Sequence, residues 1–131
     1  MTSAPADSRV IYNFHCYDPL FFTHQGAHWV PELDRNARPA FKDSDITPAY
    51  FEERFASAIR AAEERGTCLY CGEYGVIKQA SPRDTVNWYR TIHEVFERHG
   101  ISRSAWTYRE MDFGLSDRRL DGVRDELIRF L

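Results

Sequence analysis

The chain has 131 residues, of which 43% are hydrophobic and 28% are charged, and its formal net charge is -3. These values are ordinary for one soluble globular domain, and they exclude a disordered chain, a collagen-like chain and a membrane bundle. Because 20 acidic side chains outnumber 17 basic ones, no excess of positive charge exists to hold a phosphate backbone. Nucleic acid is therefore not an expected partner.

The first ten residues are small and polar, without the apolar stretch that a signal peptide or a membrane anchor needs. We therefore expect residues 1–8 to form a disordered tail and residues 9–131 to form the folded segment. As written, the chain is expected to be cytoplasmic, with no membrane partner.

The first predicted strand covers Arg9 to His15, where β-branched and aromatic residues predominate. The segment that follows, Cys16 to Thr47, is rich in proline and shows neither a helical nor a strand period, so we predict a loop. Loops of this length inside a compact domain are usually functional.

Two helices are predicted by the same pair of end signals. Each begins with a Ser or Thr N-cap followed by proline, and each is followed by a glycine. They run from Thr47 to Gly66 and from Ser81 to Gly100. A strand is predicted directly after each helix, from Thr67 to Gly72 and from Ile101 to Thr107.

The last predicted helix begins after Leu120 and places Val123, Leu127 and Leu131 on one face. The alternation of strand and helix indicates an α/β fold with a parallel sheet and right-handed crossovers. No glycine-rich phosphate loop follows any of the strands, which disfavours a dinucleotide-binding fold. A barrel segment and a small open sheet remain as the alternatives.

Metal and redox sites are disfavoured by the spacing of the possible ligands. The three cysteines, Cys16, Cys68 and Cys71, are an odd number, and the Cys-x-x-Cys pair lacks a second pair of zinc ligands. His24 and His28 have the spacing of a helical metal pair, but the glycine between them disfavours a helix. We expect buried, unpaired cysteines, no metal and no cofactor.

Polar and aromatic side chains gather at the C-terminal ends of the three predicted strands. His15 and Tyr17 follow the first strand, Glu73 ends the second and Trp106 ends the third. Active sites of parallel β/α proteins lie at that edge of the sheet. The residues alone leave open a second interpretation, a solvated glutamate at a strand end beside a core tryptophan.

Several motifs resemble glycoside hydrolase family 5, the cellulase family. Residues 14–19 (Phe-His-Cys-Tyr-Asp-Pro) and 22–29 resemble its strand-six region. Residues 71–76 (Cys-Gly-Glu-Tyr-Gly-Val) are similar to its strand-seven motif, G-E-[FY]-G, and residues 105–108 with 111–115 look like strand eight and the loop after it. The resemblance implies the last three β/α units of a TIM (β/α)8 barrel, and so an incomplete barrel, since the whole fold takes roughly 250 residues.

The resemblance also implies a reaction, the retaining hydrolysis of β-1,4-glucan or a related β-glycan by an O-glycosyl hydrolase of the endo-β-1,4-glucanase type. Glu73 is similar to the catalytic nucleophile, and His15 and Tyr17 look like the catalytic pair beside it. The implied substrate-binding residues are Trp106, Trp29 and Tyr74. Trp29 lies in the long first loop, where it either lines a sugar cleft or pins the loop onto the barrel.

The family's general acid, a glutamate after an asparagine at the end of strand four, has no counterpart here, because the sequence contains no Asn-Glu dipeptide. A retaining glycosidase needs two carboxylates about 5–5.5 Å apart. The chain alone is therefore expected to be inactive. The alternative function is a noncatalytic carbohydrate-binding or interaction module derived from such an enzyme. Family members are often secreted, so an upstream segment would change the expected location.

Three parallel strands cannot close a barrel, so we expect an open sheet edge and an uncovered inner face. Alternation with His15, Glu73 and Trp106, each on its own strand, predicts which residues lie on that face: Ile11, Asn13, Leu69, Cys71 and Ser104. An aliphatic side chain that faces water forgoes about 1.5–3 kcal/mol of burial free energy. We therefore expect the isolated chain to self-associate, to aggregate or to remain partly molten unless a complementary N-terminal barrel half covers it.

Overall fold

The computed structural model describes residues 9–131, so the tail expected over residues 1–8 lies outside the described residues. The main elements, in chain order, are β1 (Tyr12–Cys16), α1 (Leu20–Thr23), α2 (Pro48–Arg65), β2 (Leu69–Tyr74), α3 (Pro82–His99), β3 (Ser102–Arg103) and α4 (Arg124–Leu127). The strands form one sheet in the order β1-β2-β3, and both pairs are parallel. The predicted α/β class is confirmed.

The two long helices begin and end where the sequence predicts. The Thr47 side chain accepts a hydrogen bond from the backbone N of Tyr50 at 3.2 Å, and Ser81 caps α3 in the same manner at 3.1 Å. Gly66 and Gly100 follow the helices with φ of 62° and 60°. This left-handed conformation is the one that favours glycine after a helix.

The third strand and the last helix are shorter than predicted. The β3 ladder covers two residues, but backbone pairing with β2 continues, because Ser104 N donates to Cys71 O and Trp106 N donates to Tyr74 O, each at 2.9 Å. The helix after Leu120 is a single turn, α4, followed by a 3-10 turn. An Asp-Gly pair at residues 121–122 disfavours an earlier helix start.

The helices cover one face of the sheet and build an aromatic core there. Phe14 of β1 lies 5.0 Å from Phe55 of α2, measured between ring centroids. The largest fully buried side chains include Trp88, Tyr74, Tyr89, Phe22, Phe51 and Phe96. The opposite face is uncovered in the described chain, and its exposed side chains include Ile11, Asn13, His15, Ser102 and Ser104.

A β-bulge decides which residues of β2 lie on each face. Phe14 pairs with Cys71, but the next pair is His15 with Glu73, so Gly72 is an extra residue in β2. The backbone N of Gly72 donates to Asn13 Oδ1 at 2.9 Å. The extra residue shifts the alternation of side chains, and Glu73 therefore shares the uncovered face with His15.

The same bulge corrects the predicted inner face. Leu69 is 7% exposed and Cys71 is fully buried, because both lie on the helix-covered side. Their assignment to the uncovered face was wrong, since it assumed unbroken alternation back from Glu73. The prediction for Ile11, Asn13 and Ser104 agrees with their exposure.

The cysteines are all free, but only two of them are buried. Burial raises the pKa of the Cys71 thiol to about 12, and it also raises the pKa of Cys16. Cys68 is exposed because it precedes β2 rather than lying inside it. The predicted burial of Cys68 was wrong.

Candidate active site

The C-terminal ends of the strands meet at one edge of the sheet. β1 ends at Cys16 and β2 ends at Tyr74. The chain after β3 stays hydrogen-bonded to β2 as far as Trp106. Since all strands are parallel, the segments that follow them emerge at this same edge and surround the end of β2.

The Glu73 carboxylate lies at this edge beside Tyr17 and His15. Its Oε2 accepts a hydrogen bond from the Tyr17 hydroxyl at 3.0 Å and lies 3.6 Å from His15 Nδ1. The side chain of Glu73 is 32% exposed and that of His15 is 47% exposed. The carboxylate is thus reachable from solvent while a phenol holds one of its oxygens.

Tyr17 is held against the rings of His24 and Phe113. Their centroids lie 5.1 Å and 5.6 Å from that of the Tyr17 ring, in edge-on geometry. Burial, followed by the hydrogen bond and the charge of Glu73, raises the pKa of Tyr17 above its ordinary value. The phenol therefore remains a proton donor to Glu73 throughout the neutral pH range.

Gly75 lets the chain after β3 cross close to β2. A Cβ atom at this position would lie 2.3 Å from the backbone oxygen of Trp106. With glycine there, Trp106 N reaches Tyr74 O, and the Trp106 side chain is left 37% exposed at the site edge. An exposed indole at this edge has the flat apolar surface on which a sugar ring stacks.

Trp29 is connected to the site through other rings. Its side chain is 45% exposed, and its ring centroid lies 5.0 Å from His28 and 6.3 Å from His24. His24 in turn contacts Tyr17. This placement is compatible with both sequence interpretations, a sugar-lining residue and a residue that pins the loop.

Tyr74 does not lie in the site. Its side chain is fully buried, with ring centroids 5.2 to 6.2 Å from Phe96, Tyr89 and Trp88. The substrate-binding prediction for Tyr74 was wrong, because adjacent residues of a strand point to opposite faces and Glu73 occupies the open one.

The loop after β3 contributes features that sequence reasoning missed. Glu110, Met111 and Asp112 have positive φ, between 54° and 63°, where non-glycine residues carry strain. Asp112 forms an ion pair with Lys78 at 2.5 Å, and its backbone oxygen accepts from Lys78 N at 2.7 Å. A polar cavity of about 450 Å³ lies beside them. The only sequence signal was the motif over residues 111–115.

The described residues hold no group of three or more His, Cys, Asp or Glu side chains arranged for a metal ion. The His24 ring packs against both Tyr17 and Phe113, whereas His28 is exposed and contacts Trp29. Within residues 9–131, no helix is long and apolar enough to cross a membrane.

Comparisons with known proteins agree on one family. The model of the family Cellulase (glycosyl hydrolase family 5) matches residues 1–112. Cellodextrinase A of Ruminococcus flavefaciens is 56% identical over 101 residues, which are 77% of this chain and 30% of that protein. Endoglucanase C of Acetivibrio thermocellus is 28% identical in an alignment that covers 95% of this chain and 43% of that protein. The chain thus spans less than half the length of these relatives.

Solved structures share the fold. The clostridial cellulose synthase subunit Z of Clostridioides difficile aligns with 96% of this chain at a TM-score of 0.80 and 22% identity, and the alignment covers 43% of that structure. Cel5A of Thermotoga maritima, solved with mannotriose, aligns with all of this chain at a TM-score of 0.78 and 22% identity, over 42% of its length.

Proposed function

Since the chain belongs to the cellulase family, glycosyl hydrolase family 5, we propose that it carries the nucleophile's side of a retaining β-glycan hydrolase site. In this proposal it forms the last three β/α units of a TIM barrel. The observation that carries the proposal is the Glu73 carboxylate at the strand edge, with the Tyr17 hydroxyl at 3.0 Å and His15 at 3.6 Å. The match of this whole chain to less than half of its structural relatives supports the incomplete barrel.

The proposed reaction begins with Glu73. One carboxylate oxygen attacks the anomeric carbon, so that a C–O bond to Glu73 forms while the bond to the leaving oxygen breaks. Tyr17 holds the other oxygen and keeps the carboxylate aimed at the open face. A second carboxyl group, in its protonated form, must donate a proton to the leaving oxygen, and we propose that a segment outside these 131 residues supplies it.

The proposed substrate is a β-1,4-glucan or a cello-oligosaccharide. The names of the relatives, a cellodextrinase and an endoglucanase, support this class. Trp106, which is hydrogen-bonded to the end of β2, and Trp29, which is connected to Tyr17 through His24, are both exposed and would bind the apolar faces of sugar rings. No cofactor enters the proposed reaction.

The proposed partner is a complementary N-terminal barrel half. The outer edge of β1 carries no strand in the described chain. Beside it, Tyr12, Phe14, Ala58 and Leu69 line an apolar groove of about 440 Å³ that a further strand and helix could fill. Size-exclusion chromatography of the chain, alone and with strands one to five of a related enzyme, tests this proposal. A monomeric peak whose elution volume does not change when the N-terminal half is added would contradict it.

A substrate with a good leaving group tests Glu73 directly. The full chain is incubated with a 2,4-dinitrophenyl β-cellobioside, because its dinitrophenolate leaving group can depart with little help from a general acid. We expect a cellobiosyl adduct on the peptide that contains Glu73 by mass spectrometry, and none in Glu73→Gln. Soluble β-glucan should not be hydrolysed by the chain alone. An adduct on another residue would refute the assignment, and robust glucan hydrolysis would require an acid within this chain.

The alternative is a noncatalytic carbohydrate-binding module, which the absent Asn-Glu motif and the two exposed tryptophans favour. It predicts binding of cello-oligosaccharides that is weakened by Trp106→Ala and Trp29→Ala but leaves no adduct on Glu73. Calorimetric titration with cellotetraose, run beside the labelling experiment, distinguishes the two functions. The cytoplasmic location stays a prediction.

A further inference from the structure

We propose that His24 is a positioning residue for Tyr17, and that the Thr23 hydroxyl fixes the His24 ring in one tautomer. The inference rests on the proposed role of Glu73, because Tyr17 matters for catalysis through its hydrogen bond to that carboxylate. Its test needs no hydrolysis and therefore can fail independently of the proposed function.

The first step concerns the single hydroxyl proton of Thr23. Thr23 Oγ1 lies 2.5 Å from the backbone oxygen of Tyr17 and 3.4 Å from that of Pro19. A carbonyl oxygen has no proton to give, so the Thr23 hydroxyl must donate its own, and the shorter contact identifies Tyr17 as the acceptor.

The second step follows for His24. Its Nδ1 lies 3.1 Å from Thr23 Oγ1. Because the hydroxyl proton of Thr23 is donated to the Tyr17 oxygen, the contact with His24 is a hydrogen bond only if Nδ1–H donates to Thr23 Oγ1. The neutral His24 ring then carries its proton on Nδ1 and leaves Nε2 unprotonated. Burial lowers the pKa of His24, which favours this neutral form.

The third step connects the ring to Tyr17. The His24 centroid lies 5.1 Å from both the Tyr17 and the Phe113 ring, and those two rings lie 5.6 Å apart, so the three rings form one contact cluster. Thr23 itself is fully buried, and its backbone oxygen accepts from Ile77 N at 2.9 Å, which ties α1 to the segment after β2. A ring fixed in this way limits the directions in which the Tyr17 phenol can swing away from Glu73.

The direct test is nuclear magnetic resonance of the full chain, with 15N shifts for the His24 tautomer and the Tyr17 Cζ shift for the phenol hydrogen bond. In the native protein, the Nδ1-protonated form should predominate. Thr23→Val keeps the shape and removes the hydroxyl, so the tautomer ratio should shift by about fivefold or more, the equilibrium value of one hydrogen bond. The Tyr17 Cζ resonance should move with it.

Thr23→Ser keeps the hydroxyl and should restore both signals, whereas His28→Ala, a change at an exposed histidine of the same loop, should alter neither. Unchanged His24 and Tyr17 signals in Thr23→Val would overturn the proposal, as would equal changes in Thr23→Ser and Thr23→Val. If Thr23→Val does not fold, the native protein decides, because a proton found on Nε2 of His24 contradicts the proposal.

Discussion

The two faces of the sheet are made from alternate residues of the same strands, yet their chemistry differs. The helix-covered face carries Leu69, Cys71 and Tyr74 in an aromatic and aliphatic core, whereas the open face carries His15 and Glu73 at the strand ends. The comparison indicates that folding free energy comes mainly from one face and the candidate chemistry from the other. Substitutions should therefore have effects that depend on the face they alter.

The largest expected effect is on the covered face. Trp88→Ala removes a fully buried indole that packs on Phe51 and Tyr74 and donates to Asp18 O at 3.0 Å. We expect the free energy of unfolding to fall by about 3–5 kcal/mol. Urea denaturation of Trp88→Ala measures it, and Tyr70→Ala on the open face should lower the same quantity by about 1 kcal/mol or less. Equal losses would contradict the division between the faces.

Gly75→Ala tests the close approach between the chain after β2 and the chain after β3, at the edge of the site. The new Cβ would lie 2.3 Å from the Trp106 backbone oxygen, so two backbone segments must separate. We expect a loss of about 1–3 kcal/mol in unfolding free energy and a change in tryptophan fluorescence. Gly122→Ala is the matched control, because a Cβ there would have no atom within 4 Å apart from those of its sequence neighbours. A neutral Gly75→Ala would show that the close approach is not required.

Gly72→Ala alters the bulge and should have a smaller effect. The added Cβ would meet the end of the Asn13 side chain at 2.6 Å, and that side chain can rotate away. The main loss is then the Gly72 N–H to Asn13 hydrogen bond, worth about 1 kcal/mol. Adding Asn13→Ala should not lower the unfolding free energy further. A second, additive loss would mean that Asn13 stabilises the sheet in another way.

The smallest effect is a pH dependence from His24. Burial lowers its pKa in the folded protein below the ordinary value of 6.5, so the unfolded chain takes up this proton at a higher pH than the folded one. Stability from this source is full above 6.5 and falls as the pH drops toward the folded pKa. His24→Phe keeps a ring and removes the titration. Urea midpoints at about pH 7.5 and about pH 5.5 should differ more for the native protein than for His24→Phe.

Local signals were sufficient for much of the fold. The N-cap residues Thr47 and Ser81, each followed by proline, and the glycines at 66 and 100 predicted both long helices to within a residue, because capping depends on neighbours in the sequence. The strand-end motif likewise predicted that Glu73 would lie with Tyr17 and His15. Their geometry agrees with that expectation, whereas their catalytic roles stay predictions.

Features that depend on pairing between distant segments were not predictable. The bulge at Gly72 can be recognised only from the register of β2 against β1. Because of it, Leu69 and Cys71 lie on the face opposite Glu73 instead of on the same face. Tyr74 was misassigned because the family motif states which residues occur, not which way each one points. The sequence singled out His24 only as half of a disfavoured metal pair, because its partners, Tyr17 and Phe113, are brought to it by the tertiary fold.

The bulge also affects how β2 tolerates changes of length over evolution. Deleting Gly72 would leave Phe14 opposite Cys71 and His15 opposite Glu73 with strict alternation, so Glu73 would stay on the open face. Keeping Gly72 but losing the bulge would instead place Glu73 on the same face as Cys71, toward the helices. Related chains should therefore tolerate the loss of the residue and the bulge together, but not the loss of the bulge alone.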